Sequence, residues 1–316
     1  MNPATEQTPI PYEARIAGWL AVPFFVDVSL LGRVEGASLM DTLLINGVLE
    51  ANLAPLNRDP DLQVAYATLG NAPPDELRRP VSINALAGSL RLPFETVRRR
   101  VNKLVREGKL AAASQGVYVT AATVTSPTFI GAVRARYERV LRFYDELCEA
   151  GVIEPLPAPL PSVDHPAAPA RAVGRVLSDY VFRTLDPLLE RVGDPLTGII
   201  MLEIARSSTE HLSVAQAIGF MRDGWIPDSE RVPARVAELS RKLDIPYETT
   251  RRHVGWLVDQ QICGRFGGGV LLTAAYRARG SLPAVTGDNL VNVRRMFRLI
   301  AALRDADAAA VQAARP

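Results

Sequence analysis

Apolar residues recur at three- and four-residue intervals in "LPFETVRRRVNKLVREGKL", residues 92–110, where Val97, Val101, Leu104 and Val105 form one stripe. That period predicts a helix opening at Pro93 or Phe94 and packed on a core through those side chains. Upstream, Ile83, Leu86 and Leu90 mark a shorter helix, and "RLP" turns the chain between the two. Downstream, Gly108 supplies the left-handed residue that ends helices. "KLAAA" and "VYVTA" then read as a hairpin closed at Ser114, Gln115 and Gly116.

The same pattern occurs a second time. A shift of 153 positions aligns Pro74–Ala122 with Pro227–Ala275 without a gap, and 19 of the 49 positions are identical. The identities include Pro80/Pro233, Leu86/Leu239, Pro93/Pro246, Glu95/Glu248, Arg98/Arg251, Arg99/Arg252, Val101/Val254 and Gly116/Gly269. A weaker match at a shift of 157 sets Ile16–Val48 beside Val173–Ala205, and one of 160 sets Val133–Leu147 beside Val293–Asp305. Each unit therefore carries flanking packing helices on both sides of the repeated core.

Between the units, residues 151–170 hold six prolines, which excludes a helix or central strand and reads as a semi-extended linker. The expected organisation is a flexible N-terminus (1–13), a first unit (14–150) with its repeated core at about 80–122, the linker (151–170), a second unit (171–305) with its copy at about 233–275, and a flexible tail (306–316). The two copies are expected to be related by an internal pseudo-twofold or by a translation.

Composition changes this picture little. With 316 residues, 48% of them hydrophobic, and a net charge of +2, the chain can bury sizeable cores, and any nucleic-acid site must be a local basic patch. The apolar run Ile16–Gly32 is 17 residues long, contains Pro23 and Asp27, and falls short of the roughly 20 residues a membrane span needs. Its repeat partner carries Arg183, Asp186, Glu190 and Arg191, so both read as packing helices. Cys148 and Cys263 lie far apart without nearby ligands, and there is no secretory signature at the start, so a reduced cytoplasm is expected. His165 and His211 are isolated, which speaks against a metal. No phosphate loop, nucleophile elbow or paired-carboxylate signature is present, so an enzyme is the least supported reading. Trp19, Phe24, Phe25, Tyr137, Phe143 and Tyr144 sit at helix-packing spacings, with the lining of an effector pocket as the alternative.

Helix, tight turn, helix and hairpin, in the wording "LP.ETVRR.V..L...G......GVYVT", resemble the winged helix-turn-helix superfamily, and are similar to the DNA-binding modules of bacterial GntR-like and IclR-like transcription regulators. The resemblance covers about 45 residues of each unit. It implies a mainly α fold with small β-hairpin wings: two tandemly repeated winged helix-turn-helix domains with flanking packing helices. It further implies that Thr96, Arg99, Arg100 and Lys103 face the DNA major groove, with Arg98 and Arg106 on the flank for phosphates and Gln115 at the wing tip. The competing reading is a solvated face on which Glu95 supports Arg99. In the second copy the corresponding residues are Thr249, Arg251, Arg252, His253 and, on the hairpin, Arg265, while Trp256 replaces Lys103. Double-stranded DNA is the implied partner, with no covalent cofactor and no membrane. A homodimer through the flanking helices is left open. Tandem winged helices also occur in plasmid replication initiators and in chromosome-organising subunits, where the second copy would bind protein.

Overall fold

A computed structural model describes residues 10–33, 36–278 and 281–313, and the side chains of 278, 281–285 and 305–313 are left aside. The fold is mainly α with two antiparallel two-strand hairpins. The first unit runs α1 (Tyr12–Leu31), α2 (Leu39–Leu53), α3 (Pro60–Ala65), α4 (Ile83–Ser89), α5 (Phe94–Arg106), β1 (Leu110–Ala113), β2 (Gly116–Val119), α6 (Ala121–Val124) and α7 (Pro127–Glu149). The second repeats that order with α8 (Ala170–Val192), α9 (Pro195–Ser207), α10 (Val214–Asp223), α11 (Val236–Leu243), α12 (Tyr247–Asp259), β3 (Cys263–Phe266), β4 (Gly269–Leu272), α13 (Ala274–Ala278) and α14 (Ser281–Ala313).

The 153-residue shift carries α5 onto α12 and both hairpins onto each other residue for residue. It also carries the Val81–Val117 bridge onto Ala234–Val270. Even the left-handed positions coincide: Arg91 (φ 53°) with Asp244 (φ 49°) in the turn after α4 and α11, and Gly108 (φ 72°) with Gln261 (φ 58°) after α5 and α12. Gly116 shows why both hairpins keep a glycine at this point. Its φ is 144°, and a Cβ there would overlap the Val81 carbonyl oxygen of the bridging strand.

Two cores hold the chain together. Val97, Val101 and Leu104 of α5 meet Leu44, Ile45 and Val48 of α2, Leu86 and Leu90, and Val117 and Val119 of β2, as the apolar period requires. The larger core belongs to both units at once, joining Ile16, Leu20 and Phe24 of α1, Val140 and Phe143 of α7, Leu177 and Tyr180 of α8, Ile200 of α9, and Val293 and Phe297 of α14. The aromatic set is largely packing: Phe24 stacks on Phe143 at 4.1 Å and Phe25 on Tyr180 at 5.3 Å.

The contacts between units are reciprocal. Helix α1 packs on α14 and α9, and its counterpart α8 packs on α7 and α2. Arg15 of α1 donates to the Met221 and Arg222 carbonyls at the end of α10, and Arg171 and Arg175 of α8 donate to the Leu69, Tyr66 and Gln63 carbonyls at and after α3. Reciprocity of this kind marks a twofold, because a translation would give one-way contacts. Helices α1 and α8 thus pack across the two units within one chain.

Helix α1 spans 20 residues, with Pro23 inside it, and is long and apolar enough by length and composition to cross a membrane. Its length therefore does not argue against a span, contrary to the expectation. In this fold it is a core helix: Ile16, Ala17, Leu20, Phe24 and Val26 are buried by the other helices. Asp27 bonds Arg139 of α7 at 2.7 Å and Arg206 of α9 at 2.9 Å. Residues 151–169 contain neither helix nor strand and are pinned rather than free, with Tyr137 donating to the Pro161 carbonyl and Tyr144 accepting from the Leu156 amide. The tail expected to be flexible continues as helix α14 to Ala313.

Gly116→Ala is expected to cost about 2 to 4 kcal/mol of stability, from left-handed strain plus the clash at the bridge. Gly88→Ala, in a helix with open space around it, should gain about 0.5 to 1 kcal/mol. Denaturant unfolding of both variants checks the pair.

Glu50 of α2 lies in the seam with α8, lining a small cavity together with Gly174, Arg175 and Ser178. Burial, reinforced by the Asp179 carboxylate and opposed by Arg175 and Arg183, pushes its carboxyl up to about 7. The folded chain thus holds a proton that the unfolded chain releases near pH 4.5, and stability falls as pH rises between those two values. Glu50→Gln should match the parent at pH 4 and exceed it at pH 8 by about 1 to 3 kcal/mol. Unfolding curves at both pH values test this, and a gap that does not widen with pH would contradict it.

Candidate nucleic-acid interface

Helix α5 presents its polar side as a shallow groove lined by Glu95, Thr96, Arg98, Arg99, Asn102, Val105 and Arg106. Its apolar stripe centres on Val97, Val101 and Leu104, so the direction opposite to the core is held by Arg99 and Arg106. Arg106 is therefore central and not a flank residue as expected. Glu95 binds Arg98 at 2.7 Å and not Arg99, whose support by Glu95 the solvated-face reading required. Among the described residues Arg99 and Arg106 have no carboxylate partner; both are exposed.

Arg100 and Lys103 depart from the expectation that they face a groove. Arg100 lies on the side of α5 turned toward α2 and donates to Asp41 at 2.7 Å, and Lys103 reaches the other oxygen of the same carboxylate at 3.0 Å. Asp41 sits in the first turn of α2, only 1% exposed. Burial alone would raise its carboxyl. The bonds from Lys103, Arg100 and Ser38 outweigh that and hold it below the usual carboxylate range. A buried carboxylate needs such partners, which makes Arg100 in particular a structural clamp between α5 and α2. Thr96 is half-buried at the groove edge, and Gln115 is exposed in the turn of the hairpin.

The second copy repeats the clamp with different chemistry. His253, at the Arg100 position, places Nδ1 2.6 Å from the Thr197 hydroxyl and 3.8 Å from Asp194, the N-cap of α9. Burial lowers the His253 pKa, aided by Arg252, against the pull of Asp194. Arg251 is bonded to Glu248 at 2.9 Å, as Arg98 is to Glu95. Arg252 is exposed, but Asp259 stands where the first copy has Arg106, and Thr249 is half-buried. Trp256 is 37% exposed, Tyr247 49% and Phe266 48%, the last beside exposed Arg265 on β3.

Asn102 and the clamp residue Asp41 are absent from the residues expected on sequence grounds. Asn102 was recoverable, since it lies four residues before Arg106 on the same helical face. Asp41 was not, because 59 positions separate it from Arg100 and no local spacing joins them. Comparison with protein-family models, with curated proteins and with solved structures returns no match.

The geometry separates the arginine triplet by stability. Arg100→Ala leaves Asp41 short of a partner and should cost about 1 to 3 kcal/mol. Arg99→Ala should change stability by less than about 0.5 kcal/mol. Thermal melts of both single variants decide it; equal effects would mean that Arg100 is no clamp.

Proposed function

We propose that the chain is a DNA-binding transcription regulator of bacterial type, active in the cytoplasm, that reads double-stranded DNA through tandem winged helix-turn-helix modules with α5 as the leading recognition helix. The observation that carries this reading is the state of the charges on α5. Arg98 and Lys103 are neutralised by carboxylates and Arg100 is held by Asp41, while Arg99 and Arg106, at the centre of the exposed groove, have no carboxylate partner among the described residues. An arginine fork on an outward helix face suits both guanine edges and phosphates. The hairpin beside it, β1–β2, takes the part of a wing.

The two modules differ in role. The exposed face of α12 has Arg252 offset by Asp259 and carries Trp256, and Tyr247 at the helix start and Phe266 on β3 are also exposed, residue types enriched at protein contacts. The second module is thus a weaker DNA reader, and protein contact is the alternative use of its face.

Fluorescence anisotropy against genomic fragments tests the reading. Binding should weaken steeply with salt, as phosphate contacts release counterions. Arg99→Ala and Arg106→Ala should each cost about 1 to 3 kcal/mol of specific binding, and Arg252→Ala less. Binding that is absent for every fragment, or unchanged between low and high salt, would remove the proposal. If Arg252→Ala abolishes binding and Arg99→Ala does not, the roles of the modules are reversed.

A further inference from the structure

A cavity of about 430 Å³ lies where the two units meet the first module. Its wall is apolar over most of its extent, with Leu43, Leu90, Val181, Phe182, Leu189 and Ile199 drawn from α2, α4, α8 and α9. Its size falls in the range of small-molecule sites. Two cations line it, Arg183 of α8, which is paired with Asp179 at 2.7 Å, and Arg136 of α7.

Arg136 has no carboxylate partner among the described residues. It donates Nε to the Val28 carbonyl at 2.9 Å and makes one long bond, 3.4 Å, to Asn46 Oδ1. A guanidinium carries five N–H donors, so most of its capacity is unspent. Burial with no compensating charge lowers its pKa to about 10, which still leaves it cationic at neutral pH. Other arginines at the seam have fuller sets of partners: Arg139 pairs with Asp27, and Arg171 and Arg175 each donate to two carbonyls. The Arg136 guanidinium lies against Gly32, where a Cβ would overlap it. An under-satisfied cation at an apolar cavity is costly unless an anion completes it.

We propose that this cavity binds a small amphipathic carboxylate, with Arg136 receiving the carboxylate and the leucine-rich wall taking its hydrocarbon or aromatic part. The same wall holds the first module. Gly88, Ser89 and Leu90 at the end of α4 line the cavity, and Asp186 of α8, which also lines it, bonds Arg91 in the turn between α4 and α5 at 3.1 Å. An occupant between α4 and α8 would therefore set the seat of α5. That regulatory consequence rests on the DNA reading above, whereas binding of the carboxylate does not.

The test is calorimetric titration of the full chain with decanoate below its micellar range, with decanol as the uncharged match, and thermal melts in parallel. One saturable site for decanoate is expected, with a rise in Tm as ligand binds the folded state only. Arg136→Met should weaken decanoate at least tenfold and change decanol by less than threefold, whereas Arg136→Lys should retain part of the preference for decanoate. Ser178→Phe, which fills the cavity without removing the cation, should weaken both probes. Absence of saturable decanoate binding to the parent chain overturns the site, as does binding that ignores both Arg136→Met and Ser178→Phe. Adding decanoate to the DNA titration tests the coupling separately: a DNA affinity that shifts at least threefold supports it, and one that stays constant with the site occupied overturns it. Should DNA binding itself fail while decanoate binds, the site stands and the regulator reading falls.

Discussion

Helix α1 has apolar residues around most of its circumference, and its own unit cannot cover them. Ile16, Leu20 and Phe24 find their neighbours on α7, but also on α9 and α14 of the second unit. Leaving such a helix half covered would expose several large side chains, each worth about 1.5 to 3 kcal/mol when buried. The chain meets this constraint by exchanging helices between its halves, so that α1 and α8 each complete the partner unit. The arrangement is that of an isologous dimer joined by a linker. Asp27 does not interrupt this packing because Arg139 and Arg206, from different units, both reach it.

The exchange reaches the modules themselves. Arg91, in the turn before α5, bonds Asp186 and Glu190 of α8. At the equivalent turn before α12, Asp244 bonds Arg33, just past the end of α1. The signs are reversed and the geometry is the same: each turn is tied to the other unit's first helix. Single surface pairs contribute little to stability. Their significance is positional, since each tie fixes a left-handed residue on which the angle between two helices depends.

What was legible in the sequence was whatever depends on local periodicity. Val97, Val101 and Leu104 had to face inward, Gly108 had to end α5, and Ser114, Gln115 and Gly116 had to turn the hairpin, so both copies of the helix pair and hairpin could be placed almost to the residue. The face of α5 was harder to read. The set i, i+3, i+4 and i+7 from Thr96 takes in Arg99 but also Arg100 and Lys103, whereas the direction opposite the centroid of the apolar set passes through Arg99 and Arg106. The clamp at Asp41 and the pairing of flanking helices across units were illegible for a simpler reason: both depend on which surfaces meet after folding, and neither leaves a spacing rule along the chain.

The duplication offers an internal control on why particular residues are kept. Leu86/Leu239, Val101/Val254, Leu104/Leu257 and Gly116/Gly269 agree because core volume or backbone clearance demands it. Glu95/Glu248 with Arg98/Arg251 agree as an ion pair retained in both copies. A position freed from such demands has drifted: where one copy has Arg106, the other has Asp259. Arg99 and Arg252 fit neither group. They are exposed, pair with no carboxylate among the described residues, and pack into neither core, and solvation alone is satisfied equally well by lysine, glutamine or glutamate. Under the proposed DNA reading both copies need such an arginine, because a guanidinium fork fits a polyanion with planar acceptor edges.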